Sequence, residues 1–325
     1  MIDFKLPDEL IAQEPARPRD SARLLVYNRS TKEITDTVFS EVEKYLNPDT
    51  TLVVNNSKVD QCRLLFGKIE IFILEKLDDH RVRAMVRPGK KFKLDSQVVL
   101  ADWLTVKVTA IDDDGLRTLE FSVPHDDERL KQYEHIPLPP YIEQNDELAD
   151  EYQTVYADPS GSKAAPTAGL HFTDSLLDSI RSRHDYVEVT LHVGLGTFAS
   201  LTDDNFESGT LHSERYSIDS KSADLLNRAS HITAVGTTST RTLESALCDA
   251  DVFTERSGST DIFIQPGYEY KAVDSLITNF HLPGTSLLLM VEAFLDSEVE
   301  LQRIYDHAIA EKYRFYSFGD AMLIL

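Results

Sequence analysis

The chain has 325 residues, of which 42% are hydrophobic and 27% are charged, and its formal net charge is −22 at pH 7. This length and composition are typical of a soluble globular protein with room for two domains. The negative charge excludes a broad basic surface, so any contact with RNA or DNA must rely on a few clustered cations.

No stretch of the sequence approaches eighteen uninterrupted apolar residues, which predicts that the chain does not cross a membrane. The N-terminus lacks the basic and then apolar pattern of a signal peptide. Cys62 and Cys248 lie far apart, without the spacing of metal ligands, as expected in a reducing compartment. We therefore expect a cytoplasmic protein with two structural cysteines.

The first part of the chain predicts a strand followed by a small β domain. The strand is TLVVNN, residues 51–56. From Cys62 to Pro124, short β-type runs alternate with turn signals such as DDH, PGKK and DDDG. This spacing, without a long amphipathic helix, predicts a small antiparallel barrel or sandwich. The proline-rich residues 135–142 indicate a stiff, extended connector.

After the connector, strand and helix patterns alternate. Strands are predicted at residues 185–193, 232–236, 261–267 and 274–277. Helices are predicted at residues 173–184, 220–231, 240–250, 285–295 and 301–313. We therefore expect an α/β domain built from both chain ends, residues 1–61 and 143–325, with a small antiparallel β-barrel domain inserted at residues 62–142. The order of strands does not follow from the sequence.

Polar residues recur where the predicted strands lead into helices. In open α/β sheets, ligands bind beyond the carboxyl ends of the strands, and helix N-termini there favour anionic groups. The candidates are Asn279, His281 and Thr285 in TNFHLPGTS; Thr237, Thr238, Ser239 and Arg241 in AVGTTSTRTLES; Thr167, Gly169 and His171 in APTAGLHFT; and His192, Gly194 and Gly196 in TLHVGLGTF. Alone, a histidine near a strand end is more often a structural residue than a catalyst, and residues 237–240 could simply be a well-capped helix start. Their recurrence favours a polar ligand pocket.

One of these junctions resembles a dinucleotide fingerprint and is rejected. Gly194, Gly196 and Ala199 have its spacing, but the acidic residues 200–209 follow, and their composition predicts a turn instead of an apolar helix. The sequence also lacks a phosphate-binding loop, a nucleophile elbow and zinc-ligand spacing. We therefore expect neither a nicotinamide cofactor nor a metal site.

One basic run stands out in this acidic chain. Residues 81–93, RVRAMVRPGKKFK, contain six cations and no acid. They could form a solvated hairpin with a Pro-Gly turn, or a local contact for nucleic-acid phosphates. In the second case, Arg87, Lys90 and Lys91 are the candidate RNA contacts, because the turn would project them outward.

Several separate segments together resemble one known family. They are LPDELIAQEPARPRDSARLLV, LVVNNSKV, QTVYADPSGSKAAPTAGLHFT, LHVGLGTF, AVGTTSTRTLES, ITNFHLPGTSLLLMVEAF and YRFYSFGDAMLI. These segments are similar, in order and from end to end, to the S-adenosylmethionine:tRNA ribosyltransferase-isomerase family of queuosine biosynthesis. The similarity is weakest in the β region, where the family's Gly-rich basic loop is missing after Gly67. That difference leaves part of the RNA contact open.

The resemblance implies a fold, a reaction and its substrates. Family members combine an α/β domain with a small β-barrel. They move the ribosyl part of S-adenosylmethionine onto 7-aminomethyl-7-deazaguanine at the wobble position of tRNA and rearrange it. Epoxyqueuosine-tRNA forms, and adenine and methionine leave. S-adenosylmethionine is then a substrate, no cofactor is needed, and neither DNA nor a membrane takes part.

The implied reaction begins when a base removes a proton from the carbon beside the sulfonium. Histidine, with an ordinary pKa of about 6.5, suits this step. His281 is our first choice and His171 the second, and the other junction residues are expected to bind substrate. Two alternatives stay open, namely another S-adenosylmethionine enzyme that acts on a small molecule and a non-catalytic RNA-binding protein.

Overall fold

The structure is a computed structural model that describes residues 2, 4–139, 141–142, 145–194, 196, 201–247 and 252–325. Cys248 lies outside these residues. The described chain forms the following strands: β1 Arg23–Tyr27, β2 Ile34–Val38, β3 Thr50–Asn55, β4 Lys58–Val59, β5 Arg63–Phe66, β6 Ile69–Lys76, β7 Arg81–Arg87, β8 Gln97–Ala101, β9 Leu104–Ile111, β10 Arg117–Phe121, β11 Glu134–His135, β12 Ser160–Ser162, β13 Asp185–Leu191, β14 Thr210–Ile218, β15 His231–Val235, β16 Arg256–Ile262, β17 Ser275–Asn279 and β18 Ala321–Ile324. The α-helices are α1 Asp174–Arg181, α2 Asp203–Ser208, α3 Ser220–Leu226, α4 Gly236–Leu247, α5 Ser286–Leu295 and α6 Glu298–Ala310.

The chain divides into two compact units. The first comprises Met1–Lys58 and Pro139–Leu325, and the second comprises Val59–Leu138. The first unit has the mixed α/β character that the sequence predicts, and the second is built on an antiparallel sheet.

The first unit is organised around a nine-stranded sheet in the order β16-β14-β13-β3-β15-β17-β18-β1-β2. Its central strands β13, β3, β15 and β17 are parallel. Strand β3 is buried along its whole length, with Leu52 and Val54 packed into one core and Val53 into the other. Because both faces are covered, the middle residues Leu52, Val53 and Val54 are apolar in succession instead of alternating with polar ones.

Strand β18 gives the sheet a feature that matters for the site. It runs antiparallel to β17, with Asn279 paired to Ala321. The residues just before β18 therefore lie at the carboxyl end of β17. This places a segment near the chain terminus beside the strand-to-helix junctions of the middle of the unit.

The second unit is a curled, half-barrel antiparallel sheet in the order β11-β5-β6-β7-β10-β9-β8. Cys62 is buried in its core. Phe66, the last residue of β5, pairs with Ile69, the first residue of β6, and only Gly67 and Lys68 lie between them. Gly67 has a φ of +59°, which suits a tight hairpin turn. The position of the family's missing basic loop is thus occupied by a two-residue turn.

Two local predictions were wrong. The acidic stretch after Ala199 was expected to be a turn, but it contains α2, where the amide oxygen of Asn205 accepts the backbone N–H of Thr202 at 3.0 Å. Gly209 ends this helix with a φ of +68°. The strand predicted at 261–267 instead runs from Arg256 to Ile262, because the polar residues before Ile262 pair with β14 at the edge of the sheet.

Candidate active site

A cavity of about 260 Å³ lies in the first unit, at the carboxyl ends of β15 and β17. Its wall combines the start of α4, the loop from β17 to α5, the segment 164–168, the residues before β18, and two tyrosines from the segment that follows the second unit. None of the described residues that line it is Asp, Glu, Lys or Arg. The wall is therefore polar in places but carries no fixed charge in the described part of the chain.

The junction between β15 and α4 is sharper than the sequence suggested. Gly236, with a φ of +88°, opens the helix directly after the strand, so residues 237–241 lie in its first turns instead of in a loop. Thr237 and Thr238 line the cavity, and the hydroxyl of Thr238 has no partner among the described residues. Ser239 was expected to face substrate, but its hydroxyl donates to the carbonyl of Val235 at 2.8 Å within the core.

The junction between β17 and α5 supplies Asn279, His281 and Thr285 to the cavity wall. Thr285 caps α5, because its hydroxyl accepts the backbone N–H of Leu288 at 3.3 Å. The same hydroxyl donates to the carbonyl of Leu282 at 2.8 Å. These two bonds fix the path of the loop between the strand and the helix.

Asn279 is held in one orientation by two neighbours. The hydroxyl of Thr167 donates to its Oδ1 at 2.8 Å, and its Nδ2 lies 3.2 Å from Nε2 of His171. Thr167 lines the cavity, whereas His171 does not. His171 lies behind Asn279 and packs against Phe39, with the ring centroids 5.0 Å apart. Its burial lowers its pKa to about 4, so the neutral ring accepts the amide N–H.

His281 lines the cavity itself. Its Nε2 is 2.9 Å from the hydroxyl of Thr278, and its backbone N–H donates to the hydroxyl of Tyr305 at 3.0 Å. Desolvation lowers the pKa of His281 to about 4. At neutral pH the ring is therefore unprotonated and can accept a proton.

Arg241 does not reach the large cavity. Together with Gly196 it lines a second, much smaller cavity of about 20 Å³, and Leu287 is shared by both walls. Arg241 is buried and forms an ion pair with the buried Glu214. Glu214 in turn accepts the backbone N–H of Gly194 at 2.7 Å. The pair thus holds the backbone after β13 in place.

Three other predicted substrate ligands are packing residues in this structure. A β-carbon on Gly169 would lie 1.9 Å from the hydroxyl of Tyr156, and one on Gly196 would lie 2.4 Å from the ring of His212. Only glycine fits under these side chains. The ring of His192 packs in the same way over Gly161. Neither Gly169 nor His192 lines the large cavity.

The sequence analysis missed the aromatic wall of the cavity. Tyr141 and Tyr316 pack together with ring centroids 4.0 Å apart, and the Tyr141 hydroxyl is 2.7 Å from that of Ser317. Tyr152 completes this wall. Tyr316 and Ser317 belong to the motif YRFYSFGDAMLI near the C-terminus. This motif contributed to the family resemblance, but it did not predict a role for either residue. No sequence pattern pointed to Tyr141 or Tyr152.

The basic run lies in the second unit. Arg87, Lys90 and Lys91 are exposed, and the two lysines belong to a short 3-10 turn, Gly89–Lys91. Arg87 has a distant carboxylate neighbour, Glu70, at 3.9 Å. Two other cations of the run are paired with acids, Arg81 with Asp78 at 2.6 Å and Arg83 with Asp112 at 2.7 Å. The turn is thus the part of the run with the most accessible positive charge.

Two kinds of feature are absent from the described residues. None of their helices has the length and apolar character needed to span a membrane. Nowhere in the described ranges do three or more His, Cys, Asp or Glu side chains converge on a point where they could hold a metal ion.

Comparison with known proteins agrees with the resemblance seen in the sequence. A protein of Thermoanaerobacter sp. (strain X514) named S-adenosylmethionine:tRNA ribosyltransferase-isomerase is 44% identical over 335 residues, which cover 99% of this chain and 98% of the relative. A relative of the same name from Thermotoga petrophila is 43% identical and covers 100% of this chain and 98% of its own. The crystal structure of S-adenosylmethionine tRNA ribosyltransferase from Thermotoga maritima is 36% identical, covers 99% of both chains and has a TM-score of 0.57. The family model described as "Queuosine biosynthesis protein" matches residues 1–324, and this chain belongs to that family.

Proposed function

We propose that this protein transfers the ribosyl part of S-adenosylmethionine to 7-aminomethyl-7-deazaguanine at the wobble position of tRNA and isomerises it. The products are epoxyqueuosine-tRNA, adenine and methionine. Membership of the queuosine biosynthesis family supports this assignment, as do the names of relatives that match the chain from end to end. The observation that carries it in the structure is the uncharged cavity built from the motifs of that family.

His281 is the proposed base. It removes a proton from the carbon that joins the ribose to the sulfonium, and the electron pair of the broken C–H bond stays on that carbon beside the positive sulfur. A histidine with a pKa of about 4 is a weaker base than an ordinary one, but it is almost fully unprotonated at pH 7. In a cavity without described carboxylates, the uncompensated sulfonium charge makes the adjacent C–H bond more acidic.

The remaining cavity residues position the substrate. Asn279 has one amide hydrogen and one oxygen lone pair beyond its bonds to His171 and Thr167, so it can contact substrate in only one orientation. The unpartnered hydroxyl of Thr238, in the first turn of α4, suits the carboxylate end of the substrate. His171 is a positioning residue in this scheme, because it acts through Asn279.

The second unit is the proposed contact for RNA. We propose that it is an inserted small barrel and that the exposed turn with Arg87, Lys90 and Lys91 binds tRNA phosphates. S-adenosylmethionine serves as substrate and no further cofactor is required. The tRNAs would carry queuosine-type anticodons, and the reaction would take place in the cytoplasm.

The test is incubation of the protein with S-adenosylmethionine and tRNA that carries the precursor base, followed by mass analysis of the nucleosides. We expect epoxyqueuosine and free adenine, also with a chelator present. Methylated tRNA and S-adenosylhomocysteine would instead indicate a methyltransferase. Adenine release that does not depend on tRNA would favour a small-molecule enzyme, and no turnover of S-adenosylmethionine would favour an RNA-binding protein.

A further inference from the structure

We propose that the hydroxyl of Tyr152 donates a hydrogen bond to an uncharged acceptor on the nucleoside part of S-adenosylmethionine, so that the aromatic wall holds this part of the substrate. This inference rests on the function proposed above and concerns the orientation of the substrate in the cavity. It assigns a contact to a residue outside the polar junctions that the sequence singled out.

The first support is a buried hydroxyl without a partner. Tyr152 is 0% exposed, and its hydroxyl forms no hydrogen bond with the described residues. Ser317 and the backbone of Ala165 are close enough to the hydroxyl to lower its pKa, and both line the cavity. Tyr152 itself also lines the cavity. A buried polar group that lacks a partner destabilises the fold, which marks it as a group that a ligand can satisfy.

The second support is the character of the surrounding wall. Burial raises the pKa of Tyr152 far above its ordinary value, so the group is a hydrogen-bond donor at every physiological pH. Tyr141 and Tyr316 add two closely packed rings, and Phe318 packs edge-on against Tyr152 at 5.7 Å between centroids. Aromatic faces and a neutral donor suit a purine nucleoside, since bases stack on such rings.

The third support comes from the other end of the substrate. The methionine part carries an ammonium and a carboxylate, which need opposite charges or oriented dipoles. The described lining of the cavity has no charged side chain. Its oriented dipoles are the N-termini of two helices, α4 at Gly236 and α5 after Thr285. The tyrosine wall supplies no ionised side chain to balance either charge. The nucleoside part is therefore the better match for it.

The experiment compares two Tyr-to-Phe variants by calorimetric titration. Tyr152→Phe removes the unpartnered hydroxyl at the cavity. Tyr156→Phe is the matched control, because the hydroxyl of Tyr156 is also buried without a partner but does not line the cavity. The probes are S-adenosylmethionine and 5′-methylthioadenosine, which keeps the nucleoside and lacks the charged amino-acid end.

We expect Tyr152→Phe to weaken both probes by the same factor, roughly tenfold, while Tyr156→Phe changes neither. The melting temperature of both free variants should stay the same or rise, because each loses an unsatisfied buried group. Unchanged binding to Tyr152→Phe would overturn the inference, and so would a loss for S-adenosylmethionine that 5′-methylthioadenosine does not share. A fall in the melting temperature of Tyr152→Phe alone would also overturn it, since the hydroxyl would then have a structural partner. Any of these outcomes would leave the proposed function intact. The proposed function fails by a separate test, if the unaltered protein makes no epoxyqueuosine.

Discussion

Replacing His171 by glutamine should make the fold less sensitive to acid. His171 is 4% exposed, and its burial lowers its pKa to about 4. In the unfolded chain its pKa returns to about 6.5. Between these values the unfolded state binds a proton that the folded state does not. The contribution of His171 to stability is therefore complete above about pH 6.5 and is lost as the pH falls toward 4.

The size of this effect follows from the difference between the two pKa values. A difference of about 2.5 units corresponds to about 3 kcal/mol once the pH is below both values. At pH 5, about 1.5 units below the unfolded pKa, about 2 kcal/mol is lost. Glutamine does not titrate, and its amide oxygen can still accept the Nδ2–H of Asn279. His171→Gln should thus lower the loss of stability between pH 7 and pH 5 by about 2 kcal/mol.

The assay is urea unfolding of both proteins at pH 7 and pH 5, and the quantity compared is the difference between the two free energies of unfolding. This double difference removes the contribution of the many carboxylates that also titrate in the acidic chain. His212→Gln, which removes an exposed histidine of the same unit, shows whether the loss of any histidine has this effect. If His171→Gln loses as much stability as the unaltered protein, His171 is not held neutral by burial, and the reasoning is refuted.

Three further predictions concern the reaction, the fold and RNA binding. His281→Ala should lower kcat by about 10²-fold or more and change the KM for S-adenosylmethionine much less, and near-normal turnover would make His281 structural. In the unaltered protein, protonation of His281 should not lower kcat between pH 7 and pH 5.5. Glu244 is 0% exposed and accepts hydrogen bonds from three backbone N–H groups and a tyrosine hydroxyl. Glu244→Gln should therefore lower the free energy of unfolding by about 3 kcal/mol in urea titrations, and a loss below about 0.5 kcal/mol would show that these hydrogen bonds do not need the carboxylate. Changing Arg87, Lys90 and Lys91 together to serine should weaken tRNA binding and reduce the salt dependence of the binding constant by roughly one unit of slope per lost phosphate contact, while S-adenosylmethionine affinity stays unchanged. The same slope for both proteins in filter binding at two salt concentrations would exclude this turn as the tRNA contact.

The strand-to-helix junctions could be located from the sequence, but the direction of each side chain could not. Residues 237–241 are hydroxyl-rich and follow a glycine, a composition that is typical of a loop. In the structure they begin α4, and Ser239 and Thr240 donate to carbonyls four residues earlier, at Val235 and Gly236. Helical periodicity then turns Thr238 toward the cavity and Ser239 toward the core. A junction that the sequence located, although its helix begins four residues earlier than predicted, thus contained residues in two different environments.

The aromatic wall could not be predicted because it depends on strand order. Tyr152 and Tyr316 are far apart in sequence, and neither belongs to a strand-to-helix junction. Tyr316 reaches the cavity because β18 lies antiparallel to β17, which brings the residues before Ala321 to the carboxyl end of β17. Sequence periodicity gives the type of an element but does not give its neighbour in the sheet. The strand that pairs with β17 therefore decided which residues complete the wall beside that strand, namely Tyr316 and Ser317.

The neutrality of the cavity and of the two histidines in and behind its wall is linked to the proposed chemistry. Desolvation keeps both His171 and His281 uncharged, and no described lining residue carries a fixed charge. A sulfonium that enters this space would disfavour protonation of His281 still further, so the base would stay available without a neighbouring carboxylate to raise its pKa. The same lack of a counter-charge leaves the positive sulfur free to stabilise the carbanion beside it, since the charges interact more strongly at low dielectric. A carboxylate in the wall would bind the cation more tightly in the ground state, but it would weaken both of these effects in the transition state.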